Sequence, residues 1–303
     1  MMKVLFILIL LLFAVIFFLA EMCLKLITHP KRYSEEEMRR SEIDKGFSEG
    51  IDAYENDWKR EAFVLSSNDA TISGEFISNE KGDGKKVAII AHGHTANRYA
   101  SLKYANMFYK LGYDIVIYDE RYFGRSTGPY STLGQEEVKD LCAVIKLVKE
   151  RYGEDVKIAL HGESMGAATV LLALKYEKPA FVVADCPFSD SKRLFDEYVV
   201  NNLHIPPVFV IPLVILLGKI QYRYYLKDVS PMKAVKNSDV PICFMHGDSD
   251  KLIDCDHSKT MYKLCKDPRS QIHIFKGADH AESVVKHPVE YERILSEFIG
   301  SIK

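Results

Sequence analysis

The chain opens on an apolar run. Residues 4–20 are hydrophobic without interruption, and Met22, Cys23, Leu24, Leu26 and Ile27 carry the run past Glu21. A helix of that length just crosses a bilayer, which needs about 20 residues. A cleaved signal would show an apolar stretch of roughly 7–15 residues followed by a small-x-small site. This stretch is longer, no such site follows, and Ala20-Glu21-Met22 before Cys23 lacks the small residues of a lipoprotein signal. An uncleaved transmembrane anchor is therefore expected over residues 1–30. Residues 31–60 are charged, show no continuous apolar face, and read as a helical juxtamembrane linker. Residues 61–65 and 71–77 read as paired edge strands around the turn Ser66-Ser67-Asn68-Asp69, with a further turn at 81–84.

From Lys86 the pattern changes to short, continuously apolar runs separated by helical periodicity. Strands are expected at 87–91, 113–118, 157–160, 181–184, 240–245 and 271–275, and helices at 99–111, 133–152, 167–176 and 288–302. Continuous apolar strands are covered on both faces. Their alternation with helices implies a mostly parallel sheet flanked by helices, an α/β fold. Residues 187–236 break the alternation, because no strand is evident there. The apolar run 208–217 is interrupted by Pro212 and is too short to span a membrane. This segment is expected to be a packed helical insertion that caps the site; contact with the bilayer beside the anchor is a further possibility. The globular part is thus residues 61–303, with the cap at about 187–236.

Composition narrows this only slightly. A chain of 303 residues fits one large α/β domain or two smaller ones. The formal net charge of −2 offers no basic excess for phosphates, so no nucleic-acid partner is expected. The six cysteines are scattered without a CxxC pair, which is neither a disulfide framework nor a zinc site. Lys25, Lys31, Arg32, Arg39 and Arg40 follow the apolar run and only Lys3 precedes it, which favours a cytoplasmic domain. A span so near the N-terminus can also export the domain behind it, so the side of the membrane stays open.

The candidate chemistry centres on Gly162-Glu163-Ser164-Met165-Gly166, between an expected strand and an expected helix. Gly-x-Ser-x-Gly in that setting is a nucleophile elbow: the sharp turn exposes the serine hydroxyl above the sheet, and the glycines remove side chains that would clash. A serine hydroxyl needs a base, usually a histidine oriented by a carboxylate. In this architecture the order is serine, acid, histidine. Asp248 and Asp250 follow the strand at 240–245, and His280 follows the strand at 271–275. Both loops leave carboxyl ends of strands, where ligands bind in such sheets. An oxyanion hole needs backbone N–H donors. Met165, after the serine, is one candidate. His94, in His92-Gly93-His94-Thr95, is the other through its N–H, with Gly93 allowing close approach; its ring would otherwise read as a metal ligand or a surface histidine. His161, His246 and His257 are expected to pack or face solvent, and Asp119 and Asp185 to bond loops.

From about Lys86 onward the chain resembles the α/β-hydrolase superfamily. It is most similar to bacterial membrane-anchored hydrolases grouped with serine aminopeptidase-like and acyl-transferase-like members. The matching motifs are His92-Gly93-His94-Thr95, Tyr118-Asp119-Glu120-Arg121 with Gly124-Arg125-Ser126, His161 to Gly166, Ser230-Pro231-Met232-Lys233-Ala234-Val235, and His246-Gly247-Asp248-Ser249-Asp250. The resemblance implies Asp250 as the acid, with Asp248 the fallback. Two departures stand out: Tyr122 replaces a glycine of the loop after Asp119, and Leu252-Ile253 replaces Val-Pro after the acid. The expected function is a serine hydrolase acting on carboxylic esters, thioesters or small amides through an acyl-enzyme. The expected partners are a small acyl substrate and, through residues 1–30, a membrane; no metal or organic cofactor is implied, and the oligomeric state stays open. One rival is a serine aminopeptidase-like peptidase, which would need an acidic patch in the cap, with Asp190, Asp196 and Glu197 as candidates. The other is a non-catalytic, membrane-tethered binding module on a hydrolase scaffold.

Overall fold

The computed structural model describes residues 1–82 and 84–302; Asp83, part of the turn expected at 81–84, lies outside them. Helices α1 (Met2–Thr28), α2 (Glu35–Asp44) and α3 (Ser48–Asp52) lead through a π-helical turn at Ala53–Asp57 into the hairpin β1 (Lys59–Ser67) and β2 (Ala70–Ser78). Then come β3 (Lys86–Ala91), α4 (Arg98–Lys110), β4 (Asp114–Tyr118), α5 (Glu137–Tyr152), β5 (Lys157–Glu163), α6 (Met165–Ala173) and β6 (Phe181–Asp185). The insertion holds α7 (Ser191–Tyr198), α8 (Pro207–Tyr222) and α9 (Pro231–Lys236). The chain ends with β7 (Ile242–Gly247), α10 (Asp256–Tyr262), β8 (Gln271–Phe275), α11 (Ser283–Lys286) and α12 (Pro288–Ser301).

Among the described residues these strands form one sheet in the order β1-β2-β4-β3-β5-β6-β7-β8. The β1/β2 and β2/β4 pairs are antiparallel and the remainder parallel. Thus β1 is an edge strand, whereas β2, expected at the edge, is interior. Alternation along each strand sorts the core. Ile89, Val116, Leu160, Val182 and Phe244 point to the side of α5, α6 and the cap. Ile90, Ile117, Ala159, Val183 and Met245 point to the side of α4 and α12. The carboxyl ends of β5, β7 and β8 face the same rim, so three distant loops meet there.

Two segments differ from the sequence expectation for local reasons. The helix expected from residue 133 begins at Glu137. Leu133 and Gly134 have φ of 49° and 105°, and the buried Glu137 carboxylate accepts from Thr132 N (2.7 Å), Gly134 N (2.8 Å) and Ser131 Oγ (2.9 Å), folding the preceding loop around itself. The charged segment 31–59 packs against α4. Met38, Ile51, Tyr54 and Trp58 are buried, Trp58 stacks on Tyr109 at 4.9 Å, and Ser34 and Glu37 form a capping box at α2. Its apolar positions are divided among two short helices and a π turn, so no single period displays them.

α1 is long and apolar enough to cross a membrane, and it changes character along its length. Residues up to Phe18 are exposed apart from the partly covered Ile16, whereas Ala20, Cys23, Leu24 and Thr28 share one buried face. That face lies on α8: Leu24 sits beside Gly218, and Gln221 donates to Glu21. Tyr122 completes the grip. It has φ of 73° where glycine is the unstrained choice, at a cost of about 1–3 kcal/mol. Its ring meets His29 edge-on at 5.9 Å and lies under the Arg32 guanidinium at 5.3 Å. The departure from glycine thus installs a contact to the end of α1.

Candidate active site

Ser164 stands between β5 and α6 with φ 55° and ψ −114°, a strained conformation held by its surroundings. A Cβ on Gly162 would run into the backbone of Gly166 and Ala167, and one on Gly166 into the carbonyls of Ala91 and His92. The elbow therefore closes only with glycine at both positions. The Ser164 N–H donates to the Asp185 carbonyl (2.8 Å), tying the turn to β6. A Cβ on Gly93 would meet Glu163 at 3.4 Å and Ser164 at 3.5 Å, ordinary contacts on the side that faces the serine.

The serine, the second aspartate and the histidine converge. Ser164 Oγ lies 2.8 Å from His280 Nε2, and His280 Nδ1 lies 2.8 Å from Asp250 Oδ2. The carboxylate accepts, so Nδ1 carries the proton and Nε2 is free to receive one from the hydroxyl. Asp248 is elsewhere, accepting from Gly277 N at 2.6 Å. The acid and histidine loops are pressed together, because a Cβ on Gly247 would strike the Ala278 carbonyl. Burial alone would raise the Asp250 pKa, but its donors His246 and His280 prevail and hold it well below the usual carboxylate range. Burial works the other way on His280, and the Asp250 carboxylate prevails, raising the imidazole above its ordinary 6.5.

Asp250 Oδ1 accepts the N–H groups of Leu252 (2.9 Å) and Ile253 (2.8 Å). A proline at position 253 could not donate, so this departure adds a bond to Asp250. Sequence reasoning also missed His246. It is fully buried, with Nε2 2.8 Å from the Ile253 carbonyl and 3.2 Å from Asp250 Oδ2, and Nδ1 2.7 Å from Ser258 Oγ. A carbonyl only accepts, so Nε2 carries the proton and donates to the Ile253 carbonyl and to Asp250. The signal was its spacing of four residues before Asp250 at a strand end. Glu163 is a second missed residue. It is buried beside the serine, bonded to Tyr104 (2.6 Å) and paired with Lys103 (3.0 Å), which reaches Glu42 of α2 (3.3 Å). Burial would raise the Glu163 pKa, but Lys103 outweighs it and the net shift is downward. Behind this network, burial raises Asp185 to about 7.

His94 and Met165 line a cavity of about 230 Å³ with Ser164. Its other walls are apolar: Phe188, Leu194, Phe195 and Tyr198 from the cap side, Cys23, Leu26 and Ile27 from α1, with Leu133, Leu252 and Ile253. The His94 ring is fixed by α1, its Nε2 lying 3.0 Å from the Ile27 carbonyl. Asp190, Asp196 and Glu197 do not line this cavity. Asp190 caps α7, Asp196 pairs with Lys192 (2.5 Å), and Glu197 pairs with Arg193 (2.7 Å) and His257 (2.8 Å). His161 packs on Tyr104 and Tyr291, and Asp119 binds Arg98 (2.6 Å) and the Arg125 N–H (2.9 Å). Among the described residues, Cys186, Asp250 and His280 bring ligand-type atoms within 4.8 Å of one another. Two of them are already bonded together, and burial pushes the Cys186 thiol up, which disfavours the thiolate a metal would need.

The sequence profile of the prolyl oligopeptidase family matches residues 126–301. The protein YqkD of Bacillus subtilis is 30% identical over 280 residues, covering 90% of this chain and 89% of YqkD. Among solved structures, the Pyrococcus furiosus esterase Pf2001 superposes with a TM-score of 0.67 at 23% identity, covering 82% of this chain and 95% of that one. The Pyrococcus horikoshii acylaminoacyl peptidase superposes with a TM-score of 0.58 at 19% identity, covering 80% of this chain and 41% of that one.

Proposed function

The chain belongs to the prolyl oligopeptidase family and is an α/β-hydrolase-fold serine hydrolase; from that premise we propose that Ser164, His280 and Asp250 form its catalytic triad. Ser164 Oγ attacks an acyl carbonyl while its proton passes to His280 Nε2. Asp250 keeps the imidazole in the required tautomer and stabilises its cationic form. The backbone N–H groups of Met165 and His94 hold the developing oxyanion. His280 then protonates the leaving group, and the acyl-enzyme remains on Ser164. Water attacks it with His280 as base, releasing the acid and restoring the hydroxyl. The observation that carries this reading is the unbroken relay of two 2.8 Å hydrogen bonds from Ser164 to Asp250. His246 and the N–H groups of Leu252 and Ile253 keep Asp250 ionised.

The substrates this site suits are esters, thioesters or small amides with an apolar acyl part, because the cavity next to Ser164 is apolar. A free α-amine has no carboxylate within that cavity, which speaks against an aminopeptidase. The bare stretch of α1 serves as a membrane anchor, and alkaline carbonate extraction should leave the full chain in the membrane fraction. The chemical test is labelling of the full chain by a fluorophosphonate. Ser164→Ala should abolish it, and undiminished labelling would remove Ser164 from the mechanism.

A further inference from the structure

α1 has two roles that meet within one helix. Its bare stretch extends about 25 Å at 1.5 Å per residue, against a hydrocarbon core of about 30 Å. From Phe18 to Cys23, the first cavity residue, the helix rises about 8 Å, within the depth of about 5–10 Å of a membrane interface. Phe18 is exposed, Cys23 is the first α1 residue in the cavity wall, and Leu26 is both half-exposed and part of that wall. From Phe18 to Leu26 the helix rises about 12 Å. The same helix that leaves the bilayer thus forms one side of the space above Ser164.

A second apolar and bare surface lies on α8, beside α1. Val208, Phe209, Leu216 and Ile220 of α8 are more than half exposed, and so is Leu252 at the cavity itself. α8 lies against the packed half of α1. Exposed apolar side chains beside a membrane-entering helix suit the lipid interface rather than water. The polar side of the site lies in the other direction. Beyond His94 a wider cleft of about 710 Å³ is lined by Thr95, Glu163, Arg40, Glu36 and Lys45 among others. His94 borders both spaces. The site thus has an apolar arm toward α1 and a charged arm toward α2, with Ser164 in the apolar arm.

We propose that the substrate is a bilayer-resident acyl ester, a glycerolipid-type amphiphile, whose fatty chain moves along α1 into the apolar arm while its polar alcohol occupies the cleft beyond His94. The proposal rests on Ser164 as nucleophile and on α1 entering the membrane. In the reaction the Ser164 Oγ–acyl bond forms as the bond to the lipid alcohol breaks, and the serine proton leaves with the alcohol through His280. Water then supplies the oxygen and protons that release the fatty acid and regenerate Ser164. Cys23, Leu26 and Ile27 set how much of the chain fits, so α1 determines specificity as well as location.

The test uses the full chain in phosphatidylethanolamine/phosphatidylglycerol vesicles. Release of fatty acid from the vesicle lipid is measured beside a series of p-nitrophenyl esters from acetyl to dodecanoyl. Each methylene buried in the arm is worth about fourfold in kcat/KM, the equivalent of about 0.8 kcal/mol. Wild type should release fatty acid from the lipid and prefer long esters, and Ile27→Trp and Leu194→Trp should each cut the dodecanoyl-to-acetyl ratio at least about tenfold. Ile27→Ala, which carries no risk of overpacking, should move the optimum to longer chains. An unchanged ratio in all three variants overturns the chain-binding arm. Cleavage of soluble esters or of a palmitoyl-peptide thioester, with no fatty acid released from the vesicles, overturns the lipid substrate. Fluorophosphonate labelling run alongside separates the readings: loss of Ser164 dependence would undo the triad, whereas retained labelling with an unchanged chain-length ratio would undo the present inference alone.

Discussion

Beneath Ser164, the site is made of backbone. Gly162, Gly166 and Gly247 stand where a single methyl would collide with main-chain atoms, and Ser164, His280, Asp250 and His246 are joined by hydrogen bonds of 2.8–3.2 Å. Above it, the cap and α1 offer side chains and few directed bonds; the His94–Ile27 link is one of them. The floor has one geometry that works, because its tolerances are set by hard contacts between main-chain atoms. The roof has many, because apolar contact is non-directional and can be repacked. This division lets one chemical site serve different substrates by changes confined to the roof.

Four substitutions test that division, from the largest effect to the smallest. Asp250→Asn should lower kcat/KM about a thousandfold to ten-thousandfold, as loss of the orienting carboxylate does in such triads. It should also move the pH profile. His280 must be neutral to accept the serine proton, and Asp250 raises its pKa above 6.5. The wild-type rate therefore falls as pH drops through a midpoint above 6.5, and in the variant that midpoint should move lower; a profile that stays in place would detach the acid from His280. Gly166→Ala should destabilise by about 1–3 kcal/mol, the usual cost of forcing atoms into filled space, read as a lower Tm. A fully stable Gly166→Ala protein would mean that the floor is softer than its contacts imply. His246→Leu, which removes one donor from Asp250, should cost about 1–3 kcal/mol, split between Tm and a roughly tenfold lower kcat/KM. Phe209→Ser, on the outer face of α8, should change stability in detergent by no more than about 0.5 kcal/mol, read as a nearly unchanged Tm. A large loss there would show the roof to be as intolerant as the floor.

The difference also explains how much could be read from the sequence. The sheet was legible because its strands are short, continuous and apolar, and Gln271–Phe275 matches its expected range. Ser164, His280 and the loops bearing Asp248 and Asp250 were legible as candidates because each follows such a strand. Which of the two aspartates meets His280 is decided by contacts between distant loops, and the geometry gives Asp250. Other features depended on contacts between distant residues. His246 is one more histidine until β7 and α10 bring Ser258 and Asp250 against it. Glu163 gains its partner only when α4 delivers Lys103. Segment 31–59 showed no period because two short helices and a π turn share its apolar residues. Tyr122 was visible as a departure, but its contacts were not, since His29 and Arg32 reach it from the far end of the chain.

The bond between the His94 ring and the Ile27 carbonyl has a practical consequence. A soluble preparation that starts after residue 30 would discard three wall residues and the acceptor for His94 together with the greasy leader. Such a protein would expose Ser164 through a wider opening and leave the His94 imidazole without its acceptor in the same cavity. Rates measured on it would describe a broader, less selective catalyst, and inhibitors chosen against it would fit a space that the intact chain fills with its own helix.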